Sequence, residues 1–369
     1  MLNFAPAMRI LFIPNWTVHR LDVDDERVQP PDKQVVGQGY WFFKYFPKDC
    51  HVDIIDRGRK SWFRGLEKKL KFYIKQPIKA FKQRNNYDIV VSHGAQSGLV
   101  YELLCSFVKR KPPHLIFDIG GLNGARINHY ETPLIRYALR KCPYILVHSS
   151  RQKGFYQEHY PMLAPRVRFI PYGVDCKYFV PQPAVSHTRT ILTFGKDKRD
   201  YATLCEAFGR IPDKRGYRLI VVGNPSVSAQ FGYIEEISFR PVVPLSELMR
   251  LMAESNFVVI PMPEYRYSYG QMSFLQSMAM GKAAIITRTT SSLDYIDGAP
   301  GVIGVDPYDV DDMKRALEEM MSMTDANRDA IGLANRSYVM SYHDELKMSK
   351  AISEYITEIV GNSSDNTAR

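Results

Sequence analysis

Between Phe257 and Thr287 an apolar run ending in Val259-Ile260-Pro261 leads through an aromatic loop to Gly270. A short apolar helix then opens at Gln271, followed by Gly281 and a strand over 283–287. A strand, a glycine where backbone comes close to a ligand, and a helix starting at that glycine make an anion site. The first-turn N–H groups have no partner within the helix, and the helix dipole favours a phosphate there. The same pattern also fits an ordinary βαβ unit with a packed helix, so other segments must decide. Two polar residues stand at the ends of apolar runs. His93 follows Val90-Val91-Ser92, and Asp118 follows Leu115-Ile116-Phe117 just before Gly120-Gly121. An aspartate there accepts a hydrogen bond from a hydroxyl or caps the next turn, and a lone strand-end histidine is commonly structural.

A second chemical feature is charge. The chain carries a formal +10, and residues 57–84 hold eleven Lys or Arg against the single Glu67, which leaves the remainder near neutral. Trp62, Phe63, Leu66, Leu70, Tyr73, Ile74, Ile78 and Phe81 recur there at helical spacing, with Lys68, Lys69, Lys71, Lys75, Lys79 and Lys82 between them. The spacing predicts a basic amphipathic helix interrupted near Pro77. Such a helix lies in an anionic membrane interface, or packs its stripe on its own domain and leaves a solvated basic face. No nucleic-acid module accompanies it.

These residues need a scaffold, and the scaffold is legible as alternation. Strand-length apolar runs at 9–14, 51–56, 88–92, 115–119, 144–148 and 167–171 alternate with helical patterns. After a Pro-rich stretch at 181–189 the pattern restarts at 190–194, 219–223, 237–240, 257–261, 283–287 and 301–305. The expectation is α/β, two doubly wound parallel sheets: an N-terminal Rossmann-like domain over 1–183 and a C-terminal one over 184–361. A last helix able to pack back on the first domain and a disordered tail over 362–369 complete it. A chain of 369 residues with 45% hydrophobic and 24% charged residues supports two full cores. No apolar run approaches the roughly 20 residues that cross a bilayer. The opening residues lack a signal-peptide pattern, so export is not expected. Cys50, Cys105, Cys142, Cys176 and Cys205 are odd in number and lack CxxC or CxH spacing, which reads as buried thiols in a reducing cytoplasm.

Three blocks carry a family resemblance. Phe169-Ile170-Pro171-Tyr172-Gly173-Val174-Asp175 is followed by Phe179-Val180-Pro181. Leu192-Thr193-Phe194-Gly195-Lys196-Asp197-Lys198-Arg199-Asp200-Tyr201 runs on through Thr203-Leu204 and Glu206-Ala207-Phe208 to Leu219-Ile220-Val221-Val222-Gly223. Leu275-Gln276-Ser277-Met278-Ala279-Met280-Gly281-Lys282 closes the series. In this order they resemble the GT-B glycosyltransferases, specifically retaining family 4 (glycosyl transferases group 1), from about Met8 to about Val360. The resemblance implies two domains facing across a cleft, no required cofactor or metal, and a nucleotide-sugar as co-substrate. Asp22-Val23-Asp24-Asp25 contains a DxD, but in a polar loop rather than at a strand end. The family has two glutamates eight positions apart where this chain has Ser268 and Gln276, so both carboxylates are missing. Glu264, four residues before Ser268, either fills the same space or is an exposed loop acid.

The resemblance also assigns roles. The transition state gathers negative charge on the leaving diphosphate, so Lys196, Arg199 and the backbone of Gly195, Gly270, Gln271 and Met272 would hold it, with Gln276 on the ribose. Gly37-Gln38-Gly39, before a helix expected near Tyr40, is similar to the family's glycine loop and would let backbone approach diphosphate and acceptor. Asp118 stands where many relatives carry a histidine beside the sugar, and with Glu264 and His93 it is a catalytic candidate. The implied function is a retaining transferase moving a sugar from a UDP-sugar or GDP-mannose class donor to a glycan or lipid-linked acceptor. The implied location is cytoplasmic, peripheral at the inner face of the membrane. The alternative is a non-catalytic GT-B-like subunit that binds a partner or nucleotide. A nicotinamide-dependent enzyme needs GxGxxG after the first strand, where Pro14-Asn15-Trp16 stands. Nucleic acid is not an expected partner.

Overall fold

The computed structural model describes residues 8–21, 33–35, 37–58, 63–70, 72–122, 133–140, 143–182, 188–195, 198–223, 228 and 234–365. Its contacts divide into two units. The first comprises Met1–Pro171, Arg266–Ser268 and Leu346–Arg369; the second comprises Tyr172–Tyr265 and Tyr269–Glu345.

In the first unit β1 (Arg9–Ile13), β4 (His51–Ile54), β5 (Ile89–His93), β6 (His114–Phe117), β7 (Tyr144–Val147) and β8 (Val167–Phe169) form one parallel sheet in the order β4-β1-β5-β6-β7-β8. A separate parallel pair joins β2 (His19–Leu21) to β3 (Lys33–Val35), which the sequence pattern does not announce. Helices α1 (Arg64–Leu70), α2 (Lys75–Gln83), α3 (Ala95–Cys105), α4 (Pro133–Leu139) and α5 (Gln152–His159) belong to this unit. The strands read as continuous apolar runs because both faces are covered: all five residues of β5 and all four of β6 are buried. Strand order reverses between β1 and β5, the place where open α/β sheets bind ligands beyond the carboxyl ends of their strands.

In the second unit β9 (Thr190–Gly195), β10 (Arg218–Gly223), β11 (Ile237–Arg240), β12 (Phe257–Ile260), β13 (Ala284–Thr287) and β14 (Val302–Val305) run parallel in the order β11-β10-β9-β12-β13-β14. Helices α6 (Tyr201–Gly209), α7 (Leu245–Glu254), α8 (Gln271–Ala279), α9 (Leu293–Ile296), α10 (Val310–Ser322) and α11 (Asp325–Tyr342) connect or flank them. Its switch point lies between β9 and β12. One core here packs Leu204 and Phe208 of α6 and Leu317 and Met320 of α10 against Ile191, Leu219 and Val259.

Three sequence expectations change. The segment 57–84 is not one helix interrupted near Pro77: it is α1 and α2, parted before Lys75. Glu67 of α1 accepts from the N–H groups of Ile74 (2.8 Å) and Lys75 (3.2 Å), capping α2 from outside. Pro77 sits in the first turn of α2, where its missing N–H removes no helical bond. The helix expected near Tyr40 is only a 3-10 turn over Trp41–Phe43. Trp41, Phe42 and Phe43 are all buried, so the run has no face for water, and Trp41 at φ 30° leaves the helical region. Finally, α12 (Glu345–Asp365) runs through Asp365, into the stretch expected as tail. Among the described residues no helix is long and apolar enough to cross a membrane.

Candidate active site

At the second unit's switch point β9 ends in Gly195, and the chain returns as Arg199 before α6. Asp200 donates its N–H to Pro261 O (3.1 Å) beyond β12 and caps α6 by accepting from Thr203 N, so the loop is fastened at both ends. Arg199 fills the space above Gly195: a Cβ there would stand 2.5 Å from Arg199 Nε. The guanidinium donates to Phe194 O (3.1 Å), Lys198 O (3.0 Å) and Ser273 Oγ (2.7 Å). Among the described residues no carboxylate pairs with it, and burial pulls its pKa below the ordinary arginine value. A cation that gives up hydration without a counter-ion is set to take an anion.

That anion has a second set of donors. Gly270 is the N-cap of α8 at φ 83°, a left-handed conformation that glycine adopts without strain. It starts the helix so that the N–H groups of Gln271 and Met272 have no carbonyl a full turn back, while Ser273 N–H already donates to Gly270 O (3.0 Å). Ser273, in that first turn, joins the helix to Arg199. Lys198 holds its backbone at φ 56° and its ammonium 5.6 Å from the ring centres of both Tyr265 and Tyr269. Neither Ser273 nor Lys198 stands out in the sequence; the signal for both was proximity to Arg199 and Gly270, one by helix register and one by chain neighbourhood. Lys196 lies outside the described residues. Gln271 is buried and donates Nε2 to Ser291 O (3.1 Å), Met272 is half-buried, and Gln276 is buried at 8% exposure. Glu264 is exposed and grips the next loop, both carboxylate oxygens accepting from Thr290 N at 3.1 and 3.2 Å.

Ser268 takes another partner. Its segment clusters with the first unit, where its N–H (3.2 Å) and its hydroxyl (2.5 Å) both donate to Gln152 Oε1. Gln152 opens α5 and sits beside Asp118, whose carboxylate is fully enclosed. Asp118 Oδ1 accepts from the N–H groups of Gly120 (3.1 Å), Gly121 (3.0 Å) and Leu122 (3.3 Å), and Oδ2 accepts from Tyr156 OH (2.7 Å). Of the two sequence alternatives for Asp118, this geometry displays the turn cap. Burial raises its pKa, against the pull of those donors. Asp118→Ala should therefore cost about 2–4 kcal/mol by orphaning several donors, whereas Asp118→Asn should keep most of the fold, as urea denaturation of both variants would read.

His93 lies at the first unit's switch point, boxed by Trp16 (ring centres 4.6 Å), Trp41 (5.9 Å), Phe42 (5.6 Å, stacked) and Phe117 (6.0 Å). Its Nδ1 is buried with no hydrogen-bond partner among the described residues. Burial, then the neighbouring His148, push its pKa down to about 3, so the ring is neutral. Gly37, at φ 86°, has open space where a side chain would begin, as a ligand-facing glycine needs. Gly39 instead faces its own chain, a Cβ there falling 2.8 Å from Lys44 Cα. Among the described residues no group of three or more His, Cys, Asp or Glu is placed to hold a metal ion.

Residues 188–323, from the approach to β9 through α10, match the model of the family Glycosyl transferases group 1. Among solved structures the chain is similar to sucrose-phosphate synthase from Thermosynechococcus elongatus (TM-score 0.67, 15% identity, covering 96% of this chain and 100% of that one). It is also similar to Anabaena Alr3699/HepE in complex with UDP (0.67, 14%, 95% and 100%). A third likeness is WaaG, a glycosyltransferase involved in lipopolysaccharide biosynthesis (0.61, 14%, 94% and 99%). The fold is GT-B. Together the family match and the GT-B architecture indicate a glycosyltransferase. No curated protein sequence matches the chain.

Proposed function

We propose that this GT-B chain transfers a sugar, with retention, from a nucleotide-sugar donor to a glycan or lipid-linked acceptor at a membrane surface. The observation that carries the donor half is Arg199, a partly buried guanidinium with no carboxylate partner among the described residues, bonded to Ser273 in the first turn of α8 behind the Gly270 cap. In this reading the diphosphate bridges Arg199 and the α8 N–H groups, with Lys196 as a further cation and Gln276 toward the ribose. The leaving phosphate oxygen takes the acceptor proton, so the missing family glutamates do not remove the base. His93 offers a neutral imidazole toward the sugar, and Asp118 acts through the Gly120–Gly121 turn that it holds. UDP is the first nucleotide to try, because a structure sharing the fold was solved with it. Thermal unfolding with UDP, GDP, ADP and dTDP, on wild type, Lys196→Ala and Arg199→Ala, tests the donor site. No response to any nucleotide sinks it.

The membrane half rests on α1 and α2. Phe63 and Leu66 are exposed at 43% and 47%, while Lys69, Lys75, Lys79 and Lys82 stand on the surface around them. The buried stripe of α2 is Gln76, Pro77 and Ala80, so the apolar side chains open to lipid come from α1. Trp62 and Lys71 lie outside the described residues, as does the Lys68 side chain. Sedimentation with phosphatidylglycerol vesicles should fall about tenfold in Phe63→Ser/Leu66→Ser and decline steeply with salt. Binding equal to wild type would remove the membrane half.

The non-catalytic reading keeps one observation in its favour, the engagement of Ser268 with Gln152 where the family has a glutamate. Donor hydrolysis by the purified protein would end it.

A further inference from the structure

Phe107, exposed at 73%, stands just past the C-terminal end of α3 in the first unit. Helix α3 packs between α2 and α4, and its inner side buries Leu99, Tyr101, Glu102 and Cys105. Val100 and Leu103 are left half-buried on its outer side, and Phe107 continues their helical spacing. A helix face turned to water is ordinarily polar, and this one is apolar. Phe107 is also held in place. Glu102 is buried, accepting from Lys111 Nζ through both oxygens (2.5 and 2.6 Å) and from His114 Nδ1 (2.8 Å). Those bonds tie the far end of the loop over 106–113 to α3, with Phe107, Lys109 and Arg110 exposed on it.

The helices beside Phe107 are basic. The sequences of α2 and α4 contain no acid, and the single acid of α3 is the buried Glu102. On the α4 side the Phe107 ring lies 6.5 Å from that of Tyr137, and Arg140 stands 3.8 Å over the Tyr137 ring. On the other side α2 exposes Lys75, Lys79 and Lys82 and ends at Arg84, whose charge acts on Cys105, two residues before Phe107. The opposite end of α2 starts beside Glu67 of α1. Its nine residues, about 14 Å at 1.5 Å per residue, therefore run from the exposed apolar pair of α1 to the end of α3 that carries Phe107.

Lysines between two apolar contacts suit a lipid surface better than a protein one, because protein interfaces deplete Lys whereas anionic headgroups attract it. We infer that Phe107, with Lys109 and Arg110, is a second membrane anchor, and that α2 lies along an anionic bilayer between this anchor and α1. The orientation rests on the α1 contact of the proposed function; the Phe107 contact does not.

Sedimentation of the full chain with vesicles of equimolar phosphatidylglycerol and phosphatidylcholine, beside vesicles of phosphatidylcholine alone, tests the anchor. Phe107→Ser should weaken binding to the anionic vesicles by about tenfold, as one aromatic side chain withdrawn from hydrocarbon implies, while melting as wild type does. Lys109→Gln/Arg110→Gln should weaken it by a similar factor and flatten its salt dependence. Leu333→Ser/Met340→Ser, which removes exposed apolar side chains from α11 of the second unit, should leave binding unchanged. Wild-type binding by Phe107→Ser overturns the anchor. So does equal loss in the α11 variant, equal binding of wild type to the neutral vesicles, or no binding at all. A wild-type dimer in lipid-free light scattering that Phe107→Ser dissolves would assign this face to a second copy of the chain and overturn it as well. The two membrane contacts separate: loss in Phe63→Ser/Leu66→Ser with none in Phe107→Ser would leave α1 standing alone, and the reverse would keep the Phe107 anchor and remove the orientation. UDP stabilisation reads the second unit and should be the same in every variant, so its absence would sink the transfer reading and leave the anchor standing.

Discussion

Arg199→Ala should lose UDP stabilisation and lower glycosyl transfer by about 10²–10³-fold, the scale seen when one pre-aimed donor to a transition-state anion is removed. At a hundredfold excess over its dissociation constant, a nucleotide stabilises the native state by about 2.7 kcal/mol. For a unit of this size that corresponds to a rise in melting temperature of about 5–10 °C. The variant should show almost none of it. Its own stability without nucleotide should move little, because two effects oppose. Three hydrogen bonds, to Phe194 O, Lys198 O and Ser273 Oγ, are lost, yet so is the desolvation cost of a buried cation that has no carboxylate partner among the described residues. A purely structural arginine would behave the other way, with a large loss of stability and an unchanged response to nucleotide. Arg199→Lys should fall between, since the charge survives and the three-way fork does not. A melting curve series over UDP concentration separates these cases.

The strands and the anion site were readable in the sequence for a physical reason. Parallel strands covered on both faces must be unbroken apolar runs, and a strand-glycine-helix pattern fixes where a helix start points. What could not be read is what depends on contacts between distant residues. Counting back from Gln276 puts Ser268, a candidate donor-binding residue, where the family has its first glutamate, whereas its hydroxyl goes to Gln152, 116 residues away. Ser273 looked like filler in a helix, and its role follows only once Arg199 is seen to reach it. The helix expected near Tyr40 came with the resemblance of Gly37-Gln38-Gly39 to the family's glycine loop, but a surface helix needs a wet face, and Tyr40 to Phe43 are all buried. Asp118 read as a cap or a catalyst, and no spacing rule counts how many backbone N–H groups a carboxylate already holds.

Acidification should destabilise the protein below about pH 6.5, and the histidines at the end of the first unit's sheet set the slope. His93 is pushed down to about 3 and His148 to about 4, both by burial first, against an ordinary value of 6.5. Between those values and 6.5 the unfolded chain binds protons that the folded chain refuses. Stability is therefore complete above 6.5 and drains as pH falls toward 4 and then 3. Each histidine contributes about 1.4 kcal/mol per pH unit in that window, so the pair accounts for roughly 4 kcal/mol between pH 6.5 and 5. That is a large share of the stability of an ordinary domain. The rings around His93 say what should relieve it. Phe42 stacks on the imidazole and Trp16 meets its edge, so a phenyl ring fits the same box without a proton to refuse. His93→Phe should flatten the acid limb by about half while leaving stability at pH 8 within about 1.5 kcal/mol. If His93 also faces the sugar, the same variant should lose transfer at every pH, because the neutral imidazole is the form present throughout. Urea titrations at pH 5 and 8, beside a pH-rate profile, distinguish the two consequences. An acid limb unchanged in His93→Phe would show that the ring titrates like an exposed one, and the buried aromatic box would then be wrong.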